Sequence, residues 1–186
     1  MNDEGAASTV TGTMARAMPS APKQDLLATY LRHHYAAARG GLNLCARAAR
    51  THTDPVARRE LSSLVADVQE DRTALLTNLE ALGVDRHPVA ELVLAWGESL
   101  GRLRSAGLFH RSPLTDLIEL EALSGVIHAN VQGWLALRQR AESDSRLNPY
   151  QIDHLVRRGR EQENRVEELR REAVDAALVA HGTRVH

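Results

Sequence analysis

The chain has 186 residues, a quarter of them charged, and its acidic and basic side chains nearly cancel to a formal net charge of −1. This length suffices for one domain with a hydrophobic core. The charge balance argues against a general nucleic-acid binder, which carries a basic excess on one face. Cys45 is the only cysteine, which excludes a disulfide framework or a thiolate metal cluster within one chain. No apolar run approaches the roughly 20 residues that span a bilayer, so we expect neither nucleic acid nor a membrane as a partner.

The first 22 residues are small, polar and punctuated by proline, which predicts a disordered tail. They contain no continuous apolar core of the kind that secretory signals have. We therefore expect residues 23–181 to form a single domain and the protein to be cytoplasmic.

Capping residues followed by proline mark three helix starts. Asp54, Ser112 and Asn148 each stand directly before a proline. Their side chains can accept a backbone N–H of the first turn, and proline at the first helical position loses no hydrogen bond there. Gly83 and Gly107 fit helix ends, where glycine is favoured.

The spacing of apolar side chains predicts that the chain is helical almost throughout. We predict four long helices and one shorter helix, at about residues 24–51, 55–82, 113–142, 149–179 and, for the shorter one, 88–106. Four long helices of matched length favour an all-α four-helix bundle. If the short helix carries the chain back along the bundle, the second and third long helices run parallel. If it caps one end instead, the bundle is up-down-up-down.

Several polar side chains fall on the inward faces of the predicted helices when each residue is rotated by about 100° from the last. His34 and Arg72 fall near the centres of two such faces, with Asp71 on the flank. The residues that we predict to share one polar layer are His34, Asp71, Arg72, Glu121, His128, Gln162 and Glu163. Burying such groups unpaired is costly, so we expect them to pair or to bind a ligand. The run RRGR at 157–160 is followed by Glu161 and Glu163, which predicts a solvated, ion-paired helix face rather than a nucleic-acid patch.

The four long helices, the crossover, the inward polar residues and the segments QEDRTALLTNLEALGV and SPLTDLIELEAL resemble the ferritin-like superfamily, in particular uncharacterised actinobacterial members. The resemblance covers about residues 24–180. Metal-binding members carry Glu-x-x-His on two helices and a lone Glu on each of the others. No histidine of this chain has an acidic residue three positions before it, and Arg72 lies where the motif would fall. Because a buried guanidinium repels a dinuclear metal centre, we expect a bundle that lacks this metal centre.

Three interpretations of the polar layer are open from the sequence. In the first, it is a structural network in which Arg72 neutralises Glu163 or Asp71. In the second, His34, His128 and Glu163 bind one iron or zinc ion. In the third, small residues line a cavity for an apolar molecule or a cofactor; they are Ala37, Ala38, Gly41, Gly125 and Gly159.

These interpretations predict different functions. The structural network predicts a non-catalytic binding or assembly protein that needs no cofactor and associates with itself or with a protein partner. The metal site predicts a ferritin-like oxidoreductase or metal-handling protein.

Overall fold

Four long helices account for most of the residues that the computed structural model describes, which are 25–85 and 111–179. The helices are α1 (Leu26–Thr51), α2 (Pro55–Ala81), α3 (Pro113–Arg140) and α4 (Pro149–Val174). A short π-helical turn, Asp175–Val179, continues α4. The prediction of an all-α four-helix bundle is confirmed. The predicted helix at 88–106 and the predicted tail at 1–22 lie outside the described residues.

The predicted helix starts are formed by the predicted caps. The side chains of Asp54, Ser112 and Asn148 each accept backbone N–H groups from the first turn of the helix that follows. Asp25 caps α1 in the same way, without a following proline. Gly83, with a φ of 70°, ends α2 in the left-handed conformation that glycine adopts without strain.

Contacts at the two ends of the bundle give the direction of each helix. At one end, the Thr53 N–H donates to Asp116 Oδ2 at 2.9 Å, so α3 begins beside the turn between α1 and α2. At the other end, Arg146 Nη1 donates to the Leu82 carbonyl at 3.2 Å, so the turn between α3 and α4 lies beside the end of α2. Helices α2 and α3 therefore run in the same direction, which is the first of the two predicted topologies. The described residues on either side of 86–110 lie at opposite ends of the bundle.

Two clusters of buried apolar side chains fill the bundle, one on each side of a central level. The cluster near the α1/α2 turn includes Leu44, Leu61, Leu120, Ile127 and Leu169. The other includes Leu31, Leu79, Trp134, Leu137 and Ile152. On α2 the clusters are separated by the segment between Val68 and Leu75, which contains Asp71, and on α4 by the segment between Val156 and Val166, which contains Gln162.

Glycines set the distance between three of the helices. A Cβ built on Gly41 would lie 2.5 Å from Val126 Cγ1, and one on Gly159 would lie 2.7 Å from Val131 Cγ2. Helix α3 therefore approaches α1 and α4 more closely than a side chain at these positions would allow. Helices α2 and α4 approach closely at few points. Within the described ranges, no helix combines the length and apolar character needed to cross a membrane.

Candidate functional site

A carboxylate, a guanidinium and an amide meet at the central level of the bundle. Asp71 on α2 is 2% exposed, and its Oδ1 accepts hydrogen bonds from Arg158 Nε, at 2.9 Å, and from Arg158 Nη2. Its Oδ2 accepts a hydrogen bond from Gln162 Nε2 at 2.6 Å. Arg158 also donates a hydrogen bond to Glu70 at the surface, at a distance of 2.7 Å. We call Asp71, Arg158 and Gln162 the central polar layer.

Burial is the largest influence on the pKa of Asp71 in this layer. The pKa of Asp71 is raised because the carboxylate loses its solvation, although hydrogen bonds from Arg158 and Gln162 lower it. The loss of solvation therefore outweighs the hydrogen bonds that favour the ionised form. The donors that oppose this effect of burial, Arg158 and Gln162, both come from α4.

The cation of the layer is not the one that the sequence predicts. Arg72 is partly buried at the side of the bundle, where its Nη2 donates to the Tyr35 hydroxyl at 2.9 Å and its guanidinium lies 5.3 Å from the ring centroid. Asp71 takes the central position that we predicted for Arg72. Adjacent residues lie about 100° apart around a helix, so a helix face assigned one residue too late exchanges the two side chains. The predicted pairing of Arg72 with Asp71 or Glu163 is therefore wrong.

Arg158 is the member of the central polar layer that sequence reasoning missed. It belongs to the RRGR run, for which we predicted a solvated face. The side chain is 19% exposed and reaches across to Asp71. The signal was present, because Arg158 lies one turn before Gln162, on the inward face of α4.

His34 is buried in α1, as predicted, but not in the central polar layer. Its ring centroid lies 4.4 Å from that of Tyr30, and a Cβ on Gly133 of α3 would lie 2.8 Å from its Nδ1. The imidazole therefore packs on bare backbone. Burial and, to a smaller extent, the charge of the neighbouring His33 together lower the pKa of His34 to about 4.

His128 and Glu163 contact each other at the surface rather than in the core. His128 Nδ1 lies 2.9 Å from Glu163 Oε1, and the imidazole side chain is 64% exposed. Glu121 is also exposed. The predicted inward placement of Glu121 and His128 is wrong, because α3 packs against both α1 and α4 and these residues form its remaining solvent stripe.

The structure does not bring the three predicted metal ligands together. His34 packs against Tyr30 and Gly133, whereas His128 pairs with Glu163. In the part of the chain that the structure describes, no group of three or more His, Cys, Asp or Glu side chains is placed to hold a metal ion. Binding of iron or zinc therefore stays a prediction.

The small residues at the centre leave little free space. A cavity of about 10 Å³ lies beside Asp71 and Gln162, between Ala38 and Gly41 of α1 and residues of α3. Gln162 Oε1 is buried there and has no hydrogen-bond partner among the described groups. Because one water needs roughly 10–15 Å³, this space suits a single water molecule rather than a cofactor.

A second buried polar cluster closes the end of the bundle near the α1/α2 turn. Asp116 and Glu119 of α3 are both buried. Arg111 pairs with Asp116 and, at 2.7 Å, with Glu119. Arg47 of α1 pairs with Glu119 at 3.0 Å. These pairs join the start of α3 to the end of α1, and the spacing of Asp116 and Glu119 on one helix face is the signal that the sequence carried for them.

His52 lies beside this cluster and accepts a hydrogen bond. Its Nδ1 accepts the Asp54 backbone N–H at 3.1 Å, so in the neutral ring the proton is on Nε2. A cavity of about 70 Å³ adjoins His52 and Asp116. Nε2 is buried and has no hydrogen-bond partner in the described part of the chain.

Comparisons with known proteins give no match. No protein-family model matches the chain. Neither a curated protein nor a solved structure is significantly similar to it. Function is therefore inferred from the residues and geometry of this chain.

Proposed function

We propose that this chain is a ferritin-like bundle that works without a metal centre, as a non-catalytic binding or assembly protein. The path of the chain supports the ferritin-like fold, since two antiparallel helix pairs with α2 and α3 parallel are typical of ferritin-like bundles. The observation that supports a bundle without a metal centre is the hydrogen bond from the Arg158 guanidinium to Asp71 at the central level.

The chemistry of this pair disfavours a metal ion at the same place. A guanidinium stays positively charged at any physiological pH, so a metal bound to Asp71 would lie beside a fixed like charge. Both oxygens of Asp71 already accept hydrogen bonds, from Arg158 and from Gln162. The central polar layer thus supplies its own cation.

A second candidate function is metal handling, and one contact favours it. His128 and Glu163, two of the three predicted ligands, meet at 2.9 Å on the α3/α4 surface. An imidazole and a carboxylate suit iron or zinc.

Metal analysis separates the two candidates. Purified protein is incubated with ferrous iron or zinc, desalted and assayed, alongside the His34→Ala, His128→Ala and Glu163→Gln variants. We expect substoichiometric metal in all four proteins. Stoichiometric metal in the wild type that is lost in His128→Ala and Glu163→Gln would favour the second candidate and refute the first.

Sedimentation of the same samples tests the assembly role. A metal-independent assembly keeps its mass when a chelator is added. Dissociation on chelation, reversed by zinc, would contradict the proposal.

A further inference from the structure

The walls of the bundle are built in two different ways. Helix α3 packs on α1 and α4 through the glycine contacts described above. Helices α2 and α4 approach closely at few points, and long side chains connect them. Arg158 of α4 pairs with Glu70 and Asp71 of α2.

A second arginine repeats this arrangement two turns further along α4. Arg165 Nε donates to Glu60 at 2.6 Å, and its Nη1 pairs with Asp67. Helix α2 thus presents four carboxylates, those of Glu60, Asp67, Glu70 and Asp71, to two arginines. We call these residues the α2/α4 ion pairs.

Between the described helices, the outer edge of the same wall forms a groove. A groove of about 430 Å³ runs between α2 and α4 beside Arg158, lined among others by Gln69, Thr73, Gln151 and His154. Water therefore reaches the Arg158–Glu70 pair from outside, whereas Asp71 itself is buried. Partly exposed ion pairs are weakened by salt, whereas apolar contacts are not.

We propose that the α2/α4 wall is the one through which the bundle opens, and that the α2/α4 ion pairs hold it closed. Opening there separates Arg158 from Asp71 and exposes the central polar layer. The glycine contacts keep α1, α3 and α4 together meanwhile. Ionic strength, acting on Arg158 and Arg165, sets how often the wall is open.

Cys45 provides a native reporter of this opening. Its side chain is fully buried, with Sγ 3.7 Å from the Leu61 carbonyl oxygen. Burial raises the pKa of the thiol to about 12, and the charges of Arg165 and Asp67 also act on it. The thiol lies in the buried cluster that includes Val166 and Leu169 of α4, so it reacts slowly while the wall is closed. As the chain has one cysteine, every modification event reports this position.

The test measures alkylation of Cys45 in the full chain at about pH 8. We expect Arg158→Gln and Arg165→Gln each to raise the rate about tenfold, since each removes charged hydrogen bonds that close the wall. The matched control is Arg138→Gln. It removes a comparable ion pair with Asp153, 2.9 Å long, across the closely packed α3/α4 wall, and we expect it to leave the rate unchanged.

Salt provides a second test, which uses the wild-type protein and so does not depend on whether a variant folds. We expect the wild-type alkylation rate to rise with sodium chloride, and hydrogen exchange in salt to increase in α2 before α3. A wild-type rate that does not respond to salt, exchange in α3 that rises together with α2, or an Arg138→Gln rate equal to that of Arg158→Gln would each overturn the proposal.

Discussion

Burial favours the uncharged form of two side chains in this bundle, a histidine on α1 and an aspartate on α2. The pKa of His34 is lowered to about 4 because the imidazolium would lose its solvation against Gly133. The pKa of Asp71 is raised for the same reason. These two residues therefore give the stability of the fold opposite dependences on pH.

His34 makes the fold less stable in acid. Its pKa is about 4 in the folded chain, against 6.5 for an unperturbed histidine, so between these values the unfolded chain binds more protons. The contribution of His34 to the free energy of unfolding is fully present above about pH 6.5 and is lost as the pH falls towards 4. The total is on the order of 3 kcal/mol.

Urea unfolding of wild type and His34→Phe at a series of pH values measures this loss. Phenylalanine keeps a ring on Gly133 but does not titrate, so we expect a flatter pH profile between 4 and 6.5. The opposite slope from Asp71, whose raised pKa favours folding as the pH falls, is common to both proteins and cancels in the difference. His33→Phe, at an exposed position, removes only the smaller of the two causes of the lowered His34 pKa, so it should change the profile much less than His34→Phe. Parallel profiles for wild type and His34→Phe would contradict the assignment.

At the scale of helices, glycine acts differently at positions that look alike in the sequence. Gly41 and Gly125 both lie inside long helices. A Cβ on Gly41 would overlap Val126, whereas a Cβ on Gly125 meets nothing within 4 Å. Only the first is required for close helix packing.

The pair Gly41→Ala and Gly125→Ala tests this difference. Alanine in a helix gains about 1 kcal/mol over glycine, so Gly125→Ala should stabilise the fold by up to that amount. At Gly41 the overlap with the stiff side chain of Val126 costs about 1–3 kcal/mol and outweighs that gain. Denaturant melts give both values. Equal effects of the two substitutions would show that α1 and α3 do not pack as described.

The elements were predictable where a local rule determines them, and so was the inward position of His34 and Gln162, but the faces of α3 were not. Asp54, Ser112 and Asn148 could be assigned from their own side chains and the prolines that follow. The exposed stripe of α3 could not, since a helix buried on two sides is apolar over most of its circumference and gives no direction. The off-by-one placement of Arg72 and the omission of Arg158 have a related cause. A long arginine side chain can place its charge far from its Cα, so a face assigned by rotation does not locate the guanidinium.

For the whole molecule, the parallel course of α2 and α3 determines which residues share the central level. It brings Asp71 of α2 opposite Arg158 and Gln162 of α4. The sequence left two topologies open because the choice depends on a connection, not on the long helices. Once the topology is known, the central polar layer and the weakly packed α2/α4 wall follow from the same arrangement.

The central claim is that Arg158 supplies the cation of this layer. A double-mutant cycle with Asp71→Asn and Arg158→Gln, measured as the free energy of unfolding in chelator and again with zinc or ferrous iron, tests it most directly. We expect a coupling energy of about 2 kcal/mol that is the same in chelator and in metal. A coupling energy near zero, or a wild-type protein that metal stabilises, would contradict the account.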